Sequence, residues 1–90
     1  MAGQMFMVVA TSGADKVRVA VEKLGAETYY ELKSDTWLIL FDGTTRKLSE
    51  EIGIRNGTNG SGVVAAIAGY SGRASSELWE WLKVKWPIDG

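Results

Sequence analysis

The chain has no cysteine and no histidine. Without cysteine there are no disulfides and no thiolate metal ligands. Without histidine it lacks the commonest general base, the commonest transition-metal ligand and the usual neutral-pH switch. Zinc, haem and triad chemistry have little to build on, and no cofactor is expected. An excess of charge of either sign is also lacking: ten Lys and Arg oppose eleven Asp and Glu, for a net charge of −1, and no basic block stands out. A strongly basic nucleic-acid binder would look different. No apolar run approaches the roughly 20 residues of a membrane helix. No basic segment precedes an apolar one at the N-terminus, so no signal peptide is expected. These absences point to a soluble cytoplasmic protein that does not engage a membrane. Its 90 residues suit one domain, 1–90.

What is present is centred on Asp35-Thr36-Trp37-Leu38-Ile39-Leu40-Phe41, an almost wholly apolar run bounded by Lys33-Ser34 and Asp42-Gly43. It reads as a strand buried on both faces, with Trp37, Ile39 and Phe41 on one side and Leu38 and Leu40 on the other. Met5 to Ala10 reads as a first, central strand. Ser12 is the expected cap of a helix from Ala14 to Leu24, whose apolar residues Val17, Ala20, Val21 and Leu24 share one face. Gly25 is its expected stop. Glu27 to Leu32 reads as a second strand, joined to the central run by a hairpin-length turn. A second helix spans about Thr45 to Ile52. A glycine- and asparagine-rich stretch, Arg55 to Gly62, reads as a flexible loop. Val63 to Ala68 is a fourth strand, and Glu77 to about Trp86 a last helix that Pro87 closes. Val8, Leu24, Leu38, Ile39, Leu40, Phe41 and Ile67 are expected in the core or its two covering faces.

This order, β-α-β-β-α-β and then a helix, implies an α+β, ferredoxin-like sandwich: a four-stranded antiparallel sheet, two helices on one face and an extra C-terminal helix. A sheet covered on one face should be polar on the other. Here the first, third and fourth strands are apolar on both faces. Either the tryptophan-rich terminal helix or a second copy of the chain must cover the remainder.

Three segments carry a family resemblance: Leu24-Gly25-Ala26, Ser34-Asp35-Thr36-Trp37-Leu38-Ile39, and Gly69-Tyr70-Ser71-Gly72-Arg73-Ala74 before a Trp-Leu helix. With the element order, they resemble the small ferredoxin-fold group of the CRISPR-associated adaptation nuclease subunit, the VapD toxins and the SinR-like proteins. The third segment is closest to SinR-like proteins. The resemblance implies a ferredoxin-like fold and a homodimer built across the open sheet face or an edge strand. Nucleases of this group place an aspartate at the end of the first strand, around a divalent metal. The matching stretch here is Val8-Val9-Ala10-Thr11-Ser12, with no acid. A hard cation needs carboxylate oxygens.

The binding candidates are Trp37, Tyr70, Arg73, Trp79, Trp81 and Trp86. Tryptophans beside Arg73, Lys83 and Lys85 could stack bases and meet phosphates. The favoured reading is that they pack the last helix onto the sheet or onto a partner chain, since aromatic residues anchor interfaces. The pairs Glu27/Glu31 and Glu50/Glu51 read as solvated surface charge rather than catalytic carboxylates. No catalytic or metal residue is expected. Two classes of function follow. One is a non-catalytic homodimeric interaction or scaffold protein. The other is a metal-dependent nuclease of the same group, with a weak nucleic-acid binder as a third reading.

Overall fold

A computed structural model describes residues 3–69, 71–73 and 75–86. Its elements are β1 (Gln4–Ser12), α1 (Ala14–Glu22), β2 (Tyr29–Lys33), β3 (Thr36–Phe41), α2 (Thr45–Glu51), β4 (Ser61–Ala66) and α3 (Ser76–Lys85). The strands form one sheet in the order β2-β3-β1-β4, with each neighbouring pair antiparallel. β1 and β2 both oppose β3, so they run the same way with β3 between them. β3 and β4 are related in the same manner about β1. Each of these split pairs is joined through a helix, α1 or α2.

Strand alternation sorts the side chains into two layers. Phe6, Val8 and Ala10 of β1 share a face with Trp37 and Ile39 of β3. There they pack against Val17 and Val21 of α1 and against Leu48, Ile52 and Ile54 from α2 and its exit. Phe6 and Phe41 meet edge to face, with centroids 6.1 Å apart. On the opposite face, Met5 and Leu38 are buried against Leu78 and Leu82 of α3. Half-buried Met7, Tyr30, Leu32, Leu40 and Ile67 extend this second layer. The sheet is thus sandwiched, with α1 and α2 on one side and α3 on the other. Tyr29 and Tyr30 fall on opposite faces, as the period-two reading requires.

Some local expectations are corrected. Ser12 does not cap α1. The capping residue is Gly13 at φ 67°, with no side-chain hydrogen bond. The Ser12 hydroxyl instead meets the Ser61 hydroxyl at 2.8 Å and accepts the Ser61 N–H at 3.1 Å. Gly13 and Gly60 pass so closely that a Cβ on either would collide with the other segment's backbone. Only glycine fits both sides of that crossing. β4 begins at Ser61, two residues earlier than its apolar run suggests, because Ser61 and Gly62 already pair with Ser12 and Ala10. The preceding loop is tied down rather than free-standing. Asn59 donates its side-chain N–H to the Ile52 carbonyl at 2.9 Å, and Asn56 Oδ1 accepts the Thr58 N–H at 3.0 Å. Leu24, Leu40, Phe41 and Ile67 are half-buried at the margins of the two layers, whereas Val8, Leu38 and Ile39 are buried.

α2 and α3 start as their sequences dictate. The Thr44 hydroxyl accepts the Lys47 N–H at 3.1 Å, and the Ser75 hydroxyl accepts the Leu78 N–H at 3.3 Å. Each satisfies one donor that the first helical turn leaves unpaired.

Candidate functional site

The candidate residues separate by layer. Trp37 has no exposed surface: its indole fills the core beneath α1 and α2, and its Nε1 donates to Glu31 Oε1 at 3.3 Å. In this fold it offers a partner no contact area. Trp79, Trp81 and Trp86 all pack against the α3 layer as half-buried side chains. The Trp81 ring lies 5.6 Å from that of Tyr30, tilted by 51°. These contacts hold α3 to the sheet, as amphipathic aromatic side chains do when one end stays wet. Tyr70 lies outside the described residues.

Arg73 is exposed and lines a cleft of about 480 Å³ between α3 and the sheet. Its walls are mainly apolar, with Leu32, Leu38, Leu78, Leu82 and Trp79 among them. Trp86 lines a different cleft, of about 510 Å³, at the end of the sheet beside Met5, Asp42 and Ile67. The structure therefore brings Arg73 and Trp79 together and sets Trp86 apart.

A third cleft, of about 410 Å³, lies where α2 overhangs β4. Thr45, Arg46, Ser49 and Arg55 meet Gly62 and Val64 there. Sequence reading missed this grouping. Arg46 and Arg55 come from different segments, and only the return of β4 places them over one edge. The nearest signal in the sequence is the Arg46-Lys47 pair followed by Glu50-Glu51.

Four of the acidic residues, Asp15, Glu27, Glu31 and Glu50, are engaged in surface pairs. Arg18 contacts Asp15 at 3.2 Å and Glu31 at 3.3 Å, and it donates to the Ser34 carbonyl at 2.8 Å. The hydrogen bond to Glu31 leads in holding this guanidinium above its already high ordinary pKa, with help from the Asp15 carboxylate. Arg55 pairs with Glu50 at 3.7 Å, and Lys85 with Glu27 at 3.9 Å. Among the described residues, no group of three or more acidic side chains is close enough to hold a metal ion. At the end of β1 the polar groups are hydroxyls: Thr11 and Ser12 converge on Ser61 at 3.0 and 2.8 Å. No described helix is long and apolar enough to cross a membrane.

No protein-family model, curated protein or solved structure matches the chain.

Proposed function

We propose that the protein is a non-catalytic interaction module that works as a homodimer, with the ferredoxin-like architecture that its element order suggests. One observation carries this reading: α3 covers only part of the second sheet face. Leu78 and Leu82 seal Met5 and Leu38, yet Val63 on β4 remains 59% exposed on that same face. Its neighbour Ala65 is exposed, and Val9 of β1, opposite Val63, is only half-buried. Apolar side chains left at a sheet margin favour association, and two-fold pairing buries the same surface on both copies. The resemblance to SinR-like proteins suggests the same kind of assembly, in the cytoplasm.

Sedimentation velocity over a range of protein concentrations tests the proposal. A mass of two chains at micromolar concentration is expected. A single-chain mass throughout would remove the homodimer. Incubation with single-stranded RNA and DNA in magnesium or manganese addresses catalysis. No cleavage is expected, and turnover that co-purifies with the chain would restore the nuclease reading.

A further inference from the structure

The two edges of the sheet are built differently. At the β2 edge, Glu31 and Lys33 are exposed charges, and the strand register shifts between them. Arg18 reaches across from α1 to hold Glu31 and the Ser34 carbonyl. Charge and irregularity are the devices by which an edge strand discourages further pairing. The β4 edge has neither over most of its length. Its sequence, Ser-Gly-Val-Val-Ala-Ala, carries no charge and no proline, and its register with β1 is regular from Ala66 to Gly62. Ile67 donates its N–H to the Met5 carbonyl. By antiparallel alternation, Val63 and Ala65 then turn their backbone groups toward β1, and Val64 and Ala66 turn theirs outward.

α2 packs against this strand, and its charges oppose its own dipole. Arg46 and Lys47 stand in the first turn, and Glu50 and Glu51 in the last. In an isolated helix both ends would prefer the opposite sign. Arg46 and Glu50 are four residues apart and therefore share a side of the helix. Arg46 lines the cleft over the β4 edge and forms no ion pair with any described residue. Among the described residues, Glu50 pairs with Arg55 alone, at 3.7 Å.

We infer that a second copy of this chain occupies the β4 edge, with β4 antiparallel to its counterpart and α2 antiparallel beside its counterpart. One two-fold axis normal to the sheet produces both pairings. It directs the basic end of each α2 toward the acidic end of the other and sets the two helix dipoles antiparallel, side by side. It gives the outward backbone groups of Val64 and Ala66 partners, and it joins the two exposed Val63 and Ala65 patches. A foreign strand would satisfy the backbone but leave the reversed charges of α2 unanswered. A second copy satisfies both. This inference rests on the homodimer reading and specifies its interface.

The test is sedimentation velocity on the full chain, comparing wild type with R46E, E50R, R46E/E50R and A65K. All three positions are exposed, and circular dichroism checks that each variant stays folded. Each single charge reversal is expected to raise the dimer dissociation constant about tenfold, with the double reversal returning most of the loss. Lysine at position 65 is expected to weaken the dimer as an edge guard. A wild-type monomer would overturn the homodimer and this interface together. A dimer unmoved by every variant would keep the homodimer and overturn the β4 and α2 interface. Single reversals that weaken the dimer without recovery in the double variant would overturn the antiparallel α2 pairing.

Discussion

The two faces of the sheet solve the same problem with different means. Beneath α1 and α2, Phe6, Val8, Trp37, Ile39, Val17, Val21, Leu48 and Ile52 are all without exposed surface. Beneath α3 the buried set shrinks to Met5, Leu38, Leu78 and Leu82, ringed by half-buried aromatic and aliphatic side chains. The first face is a closed core clamped by two helices, each tied into the chain at both ends by strands. The second is a docking surface under one terminal helix. Regions with fewer buried apolar contacts open at lower free energy. The sheet therefore has a permanent side and a side that opens first.

The largest test of that contrast is Trp37→Ala. Emptying a fully buried indole site should cost about 3–5 kcal/mol, read from the midpoint of denaturant unfolding. That is a large share of the roughly 5–15 kcal/mol available to a domain. A loss below 1 kcal/mol would mean the first face is not the permanent one. Leu82→Ala comes next, at about 2–3 kcal/mol. Its distinguishing signature is local: amide exchange should quicken along α3 while β1 and β3 stay protected. Equal loss of protection in all three would make the two faces one cooperative unit. Leu40→Ala should cost less, about 1–2 kcal/mol, because this half-buried side chain sits at the margin of the α3 layer. The smallest effect belongs to Ser75→Ala, about 1 kcal/mol from the lost cap. It should loosen α3 without disturbing α2, whose own cap is Thr44.

Much of this division can be read in the sequence, and the reasons are local. Alternation along Trp37 to Phe41 assigns each side chain to its face before any partner is known. The helix starts are legible as hydroxyl-bearing stretches, Thr44-Thr45 and Ser75-Ser76, and the structure assigns the caps to Thr44 and Ser75, whose hydroxyls each accept an amide three residues on. Ser12 looks equally suited to capping, but Ser61 takes its hydroxyl, and no local rule reports a neighbour so distant in the chain. The same limit hides the start of β4. Ser61 and Gly62 have no apolar signal, and their strand character comes from β1. Among the candidate residues, the apolar character of Trp37 shows that it is buried against something, but not that its own helices cover it completely. The meeting of Arg73 with Trp79, and of Arg46 with Arg55, depends on how loops return over the sheet. The reversed charges of α2 are visible in the sequence as Arg46-Lys47 and Glu50-Glu51. Their significance appears only once α2 lies beside an unguarded edge.

The crossing of Gly13 with Gly60 is fastened by the hydroxyls of Ser12 and Ser61, which lie 49 residues apart in the chain. Such separation sets an order in time. A chain emerging from the ribosome presents β1, α1 and the β2–β3 hairpin before Ser61 emerges to meet Ser12. Loop closure must precede any return from so long-range a contact, which makes it slow relative to the hairpin. Until then the outer margin of β1 has no strand beside it, and its backbone groups are open to pairing with other chains. α3 follows still later. The nascent protein thus passes through a stage with one face clamped by α1 alone and the other still open to water.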